Sequence, residues 1–155
     1  MIAVTVGGIS LFFSSHSSIL VFINKQRGVM VIASEKKLIE LKREFHSLFP
    51  YLRIEFYSGH HEAGEGSPKE KQLDSDLTVE QVSGKALNED YNILPSITVS
   101  ELEAYFDENL GISAQVFRRS GNLWMQTTAT DHWTLEEQNR KGGASLHHYN
   151  EKYKT

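Results

Sequence analysis

The stretch Ile97 to Gln138, ITVSELEAYFDENLGISAQVFRRSGNLWMQTTATDHWTLEEQ, carries helix-start, helix-stop and turn signals in sequence, and it narrows the folds open to the chain. Thr98 and Glu101 have capping-box spacing: the Thr hydroxyl can accept from the third helical N–H while the Glu carboxylate reaches back to the cap N–H. Ile97 and Leu102 are placed to close a hydrophobic staple across that start. Val99, Leu102, Phe106 and Leu110 then form one apolar stripe, with Glu101, Glu103, Asp107 and Glu108 on the other faces. Gly111 is the expected left-handed stop. Ile112 to Arg119 and Leu123 to Thr128 read as strands of a hairpin closed by Ser120, Gly121 and Asn122. Thr134 and Glu137 repeat the capping spacing, predicting a short helix from Leu135 that Gly142 and Gly143 end.

The preceding part of the chain has a similar grammar. Ser34 is a candidate cap for a helix to about Leu48, with Leu38, Leu41, Phe45 and Phe49 as its stripe and Pro50 as its stop. Leu52 to Tyr57 alternates Leu52, Ile54 and Phe56 with Arg53, Glu55 and Tyr57, the pattern of a half-buried strand. Leu41, Phe45 and Phe49 match Leu102, Phe106 and Leu110 at a constant offset of 61 residues, and Ser58-Gly59 matches Ser120-Gly121 at 62. Thr78 and Gln81 repeat the capping spacing of Thr134 and Glu137. Two degenerate αβ units sharing one sheet account for this order, since neither half could cover its apolar face alone. Between strand and capped turn the first half has instead the polar loop Gly59 to Ser75, and Lys85 to Pro95 links the halves.

At 155 residues the chain suits one domain with a sizeable core. It has no cysteine, which removes disulfides, thiolate metal sites and thiol nucleophiles and fits a reducing compartment, so a cytoplasmic location is expected. A net charge of −4 does not describe a strongly basic nucleic-acid binder, although it leaves room for a local patch. Residues Ile2 to Ile23 lack Asp, Glu, Lys and Arg. Three readings compete there: strands at Ile2 to Val6, Ile19 to Ile23 and Val29 to Ala33 with a turn at Lys25 to Gly28; a true start at Met30; and, disfavoured by Gly7, Gly8, the serines and His16, a membrane span.

Candidate chemistry is sparse. His60 and His61, with Glu62 and Glu65 beside them and His147-His148 elsewhere, offer donor types for a divalent metal, but without His-x3-His or H-E-x-x-H spacing. Solvated loop histidines are the plainer reading. There is no G-x-S-x-G elbow and no phosphate-binding glycine pattern, and the paired carboxylates Asp74/Asp76 and Glu136/Glu137 fit helix starts. Arg118 and Arg119, with Phe117 and Trp124 across the hairpin, form the best recognition candidate, because guanidinium and aromatic faces bind anions, bases or protein partners. Phe117 and Trp124 serve a core equally well.

The run TVSELEAYFDENLGISAQVFRRSGNLWMQTTATDHWTLEEQN resembles a segment of a family of small bacterial proteins with no assigned activity, over Ile97 to Asn139 and so less than a third of the chain. The resemblance implies no catalytic residue. The expectation is therefore a single α+β domain: a mixed or mainly antiparallel sheet with two main helices on one face, and residues 143–155 as a tail. For function, a non-enzymatic interaction or regulatory module with a protein partner at its hairpin edge or tail stands first. Nucleic-acid association through Arg118 and Arg119 stands second and a metal-dependent enzyme using His60 and His61 third; no cofactor and no membrane partner are expected.

Overall fold

The computed structural model describes residues 1–6, 8–16, 18–19, 28–59 and 72–154. Its elements are strands β1 (Ile2–Val6), β2 (Ile9–Phe13) and β3 (Met30–Ile32), helix α1 (Leu38–Leu48), strand β4 (Leu52–Ser58), helix α2 (Val79–Ser83) and strand β5 (Tyr91–Ile93). They continue with helix α3 (Val99–Leu110), strands β6 (Ile112–Ser120) and β7 (Leu123–Gln126), a 3-10 turn at Thr128–Thr130 and helix α4 (Leu135–Tyr153). The fold is α+β and its sheets are antiparallel: β1 with β2, β3 with β5, and a three-stranded sheet in the order β4-β6-β7. No helix among the described residues is long and apolar enough to cross a membrane.

Alternation sorts the main sheet into two faces. Leu52, Ile54 and Phe56 lie opposite Arg118, Val116 and Ala114, and so share a face with them. Helices α1 and α3 bury Leu38, Leu41 and Phe45, and Val99, Leu102, Phe106 and Leu110, in the same core. Phe56 and Phe106 meet with ring centroids 5.0 Å apart, and Phe45 and Phe49 at 5.2 Å.

The two halves meet by matching parts. Val31 lies opposite Asn92 and Glu55 opposite Gln115, so each half contributes one strand to each ladder. Ile32 and Ile93, Leu38 and Val99, Leu41 and Leu102, Phe45 and Phe106, Phe49 and Leu110 are all buried. So are Leu52 and Ile112, Ile54 and Ala114, Phe56 and Val116, Val79 and Leu135. In β4 and β6 the correspondence runs at an offset of 60, because Leu52 follows Phe49 by three positions whereas Ile112 follows Leu110 by two. Ser58-Gly59 and Ser120-Gly121, aligned at 62 in the sequence, are therefore not equivalent in the sheet.

Helix starts are braced in the same way twice. Leu38 and Ile39 donate their N–H groups to the carbonyls of Leu77 and Ser75, while Val79 and Glu80 donate to those of Lys36 and Ser34. In the second half Val99 and Ser100 donate to Trp133 and Asp131, while Leu135 and Glu136 donate to Ile97 and Pro95. Thr78, Thr98 and Thr134 are side-chain caps as their spacing predicts. Gly84 and Gly111 take the left-handed conformation that ends α2 and α3.

Three boundaries differ from expectation for tertiary reasons. Helix α1 starts at Leu38, not after Ser34, because Ser34 to Lys36 is drawn into the brace with α2 and the Ser34 hydroxyl accepts from Leu87 N–H at 2.7 Å. Helix α4 runs through Gly142 and Gly143 to Tyr153 where a stop and a tail were expected. Both glycines face Tyr51: a Cβ at Gly142 would sit 2.9 Å from Tyr51 Cβ and 3.0 Å from its carbonyl oxygen, and one at Gly143 would sit 2.7 Å from the Tyr51 ring. They serve close approach, and the helix continues through them. Strand β3 pairs with β5 across the molecule, whereas the turn expected at Lys25 to Gly28 and the strand at Ile19 to Ile23 lie largely outside the described residues.

Phe106→Ala should lower unfolding free energy by about 3–5 kcal/mol in urea titration, as expected for a fully buried phenylalanine. Gly142→Ala should cost about 1–3 kcal/mol through overpacking, although helix propensity alone would favour alanine by about 1 kcal/mol.

Candidate recognition surface

Consecutive strand residues face opposite ways, and this separates the two arginines of the hairpin. Arg118 lies on the helix-covered face with Leu52, where Nη1 donates to Gln138 Oε1 at 2.7 Å and the guanidinium is 5.5 Å from the Trp133 ring. Lys141 of α4 stands 5.7 Å from that same indole. Gln138 is fully buried and its amide also donates to Thr130 O and Oγ1, so Arg118 belongs to a structural network that fastens α4 to the sheet. The expectation that Arg118 joins Arg119 in one patch is corrected by this alternation.

Arg119 does meet Trp124. The two lie directly opposite on β6 and β7, on the face away from the helices, and the guanidinium is 4.4 Å from the indole centroid. Arg53 of β4, on that same face, approaches the same indole at 4.2 Å. His46, near the end of α1, stands edge-on to it at 6.1 Å, held by a 2.8 Å hydrogen bond between Nδ1 and Leu52 O. Phe117 is half-buried on this outer face, whereas Val116 beside it is core. Arg53 was not singled out in the sequence: its outward direction follows from the alternation of Leu52 to Tyr57, but its meeting with Trp124 depends on β4 pairing with β6.

Among the described residues neither Arg53 nor Arg119 forms an ion pair, since Glu55 is held by Lys42 at 2.7 Å and by Gln72, and Arg119 donates only to Asn122 O. Burial lowers the Arg53 pKa; Glu55 opposes this, and the neighbouring Arg119 charge lowers it further.

The hairpin also leaves an edge. Gly121, with φ 58°, is the first residue of a two-residue turn, the position where glycine is favoured. Thr127 N–H donates to Val116 O at 3.2 Å, which fixes the ladder phase: the main-chain groups of Leu123 and Met125 point at β6, and those of Trp124 and Gln126 point away. Among the described residues no backbone group pairs with that outward edge. Leu123 and Met125, on the opposite face from Trp124, are 64% and 54% exposed.

Among the described residues Glu103 is the carboxyl pushed furthest from its ordinary pKa, and its sequence position on the polar side of α3 did not reveal it. Its Oε1 accepts from Val116 N–H at 3.0 Å, taking the place of the next ladder bond as the chain turns from β7 into the 3-10 turn. Burial, opposed by that hydrogen bond and assisted by Asp131, pushes its pKa up to about 7. No group of three or more potential metal-ligating side chains occurs among the described residues, and His60, His61, Glu62 and Glu65 lie outside them. His147 is on α4, exposed, with Nε2 3.2 Å from Glu151.

No family model matches the chain, and no curated protein or solved structure is similar to it.

Because the folded-state pKa of Glu103 lies above its unfolded value, its contribution to stability is complete below about pH 4.5 and is lost as pH rises through 7. Glu103→Gln keeps the acceptor for Val116 N–H and should remove this loss, which amounts to at most ~3 kcal/mol. Urea unfolding of both proteins at pH 4 and pH 8 checks it: the variant should gain relative to the parent chiefly at the higher pH.

Proposed function

We propose that this protein is a non-enzymatic interaction module that recognises a protein partner by adding an extended segment of it to β7. The observation that carries this reading is the outward main-chain edge at Trp124 and Gln126, unpaired among the described residues and bordered by exposed Leu123 and Met125. Such an edge supplies main-chain hydrogen bonds for affinity and alternate side-chain positions for specificity. Nucleic-acid association is the second reading, favoured by the Arg53, Arg119 and Trp124 cluster. It is weaker because the indole is already engaged by two guanidiniums, with which a stacked base would have to compete.

The shared core positions and repeated brace support descent of the two halves from one duplicated αβ unit. In that history β7 and its turn elaborate the second half. The cysteine-free composition supports a cytoplasmic site of action.

Gln126→Pro tests the edge. It removes an outward N–H and no main-chain bond of the β6-β7 ladder, together with the side-chain bond from Gln126 Nε2 to Gln115 Oε1, so stability should fall by only about 1 kcal/mol while binding is lost. Capture from the native cell should recover a stoichiometric protein companion with the parent and not with the variant; equal recovery overturns the edge reading. Binding lost instead in Arg53→Ala/Arg119→Ala, with steep dependence on salt and nucleic acid in the eluate, would establish the second reading.

A further inference from the structure

Tyr91 and Tyr105 form the closest pair of rings among the described residues, with centroids 3.6 Å apart and planes 14° apart. Tyr91 opens β5 on the side of the strand that carries buried Ile93, and Tyr105 lies one turn past Leu102 on α3, so strand and helix each lay a phenol along the border of the core. Both rings are half-buried. A centroid separation so close to the thickness of a ring leaves little lateral offset. The ortho carbons flank each hydroxyl at alternate ring positions, so for any rotation of one ring over the other some ortho carbon of Tyr91 lies within about 4.5 Å of one of Tyr105. Other tyrosines lack this arrangement: Tyr57 is buried on β4, and Tyr149 and Tyr153 of α4 have centroids 4.9 Å apart and planes tilted by 39°.

We propose that Tyr91 and Tyr105 are a site of oxidative modification, joined within one chain by a bond between ortho carbons when a haem peroxidase using hydrogen peroxide oxidises them. Burial raises the pKa of both phenols, assisted by Glu101 at Tyr91 and by Tyr91 itself and Asp90 at Tyr105. They are therefore neutral at physiological pH, and each gives up a proton together with its electron. Glu101, kept ionised by its bonds from Thr98, and Asp90 are acceptors close enough to act on these phenols. Two stacked phenoxyl radicals result. Their unpaired electrons, shared between oxygen and ring, pair to form the carbon–carbon bond at the ortho positions, since Cβ already occupies the para position. The two ortho hydrogens then leave as protons while the oxygens regain theirs, restoring two phenols. In all, the chain loses two hydrogen atoms and one hydrogen peroxide becomes two waters.

The link has a structural consequence. It closes a loop across the Thr98 cap and fastens β5, which pairs with β3 of the first half, to the main helix of the second. Thiols that keep a reducing compartment free of disulfides do not open a carbon–carbon bond, and the chain has no cysteine to form the alternative cross-link.

The test oxidises the full chain with a haem peroxidase and limiting hydrogen peroxide, then unfolds it and cleaves it after glutamate. Cleavage places Tyr91 in Asp90–Glu101 and Tyr105 in Ala104–Glu108, which stay together only through the new bond. The expected product is a monomer with dityrosine fluorescence and two hydrogens fewer, in which these fragments are linked at least about tenfold more often than those carrying Tyr149 and Tyr153. Its yield should not depend on protein concentration. Tyr91→Phe and Tyr105→Phe should each abolish it and Tyr149→Phe should leave it, while oxidation in urea should erase the preference for this pair. A preference unchanged in urea would show that the stacked geometry does not direct the reaction. Dityrosine found only between chains, or only at other tyrosines, would overturn the assignment.

Discussion

At two places in this fold a pair of helix N-termini is brought together, and the carbonyls exchanged there hold the halves in shape. An α-helix begins with N–H groups that have no partner inside the helix, and burying such an end without acceptors is costly. Here α1 and α2 receive carbonyls from each other's leading segment, as do α3 and α4. The arrangement satisfies the first N–H groups but sets two positive dipole ends side by side. First-turn acids offset that: Glu40 and Glu80 at one junction, Glu101, Glu136 and Glu137 at the other. At Glu101 the bonds from the Thr98 backbone and hydroxyl hold the carboxyl below its ordinary pKa, opposed by slight desolvation, so it remains an anion where the dipoles need one.

With both helix pairs fixed, their stripes define one apolar layer and the antiparallel ladders close it. Each half contributes β4 or β6 to one ladder and β3 or β5 to the other, so an isolated half would expose both a strand edge and an unpaired core face. The single core follows from this interlocking. The hairpin β1-β2 forms its own sheet outside it. Differences between the halves accumulate where the shared core makes no demand. Helix α2 spans only Val79–Ser83 while α4 continues to Tyr153, made possible by two glycines that let it press on Tyr51.

What could be read from residues alone were the features whose physics is local. Thr98, Glu101 and Gly111 delimit α3 by contacts within a few residues, and the Leu52 to Tyr57 alternation separates its two faces without knowledge of a partner strand. Features set by distant contacts were misplaced or missed. Ser34 has the chemistry of a cap, but its hydroxyl is taken by Leu87. Gly142 and Gly143 have the form of a stop, yet their lack of side chains matters only against Tyr51. Glu103 has a polar position in the helical repeat, and only the end of the β7 ladder gives it a buried N–H to accept from.

The Arg53, Arg119 and Trp124 cluster depends on the same distinction. Arg118 and Arg119 are chemically identical neighbours, and one residue of alternation gives one a buried glutamine and the other an open face. Trp124 then joins strands that sequence order keeps far apart, drawing Arg53 from the first half and Arg119 from the second onto one indole. The cluster therefore exists only when the two halves are paired, unlike the β6-β7 hairpin, whose register is local. Placing the charge at that junction ties the cluster to the integrity of the whole domain: a chain with β4 detached from β6 could keep the β6-β7 hairpin, but not both guanidiniums on one indole.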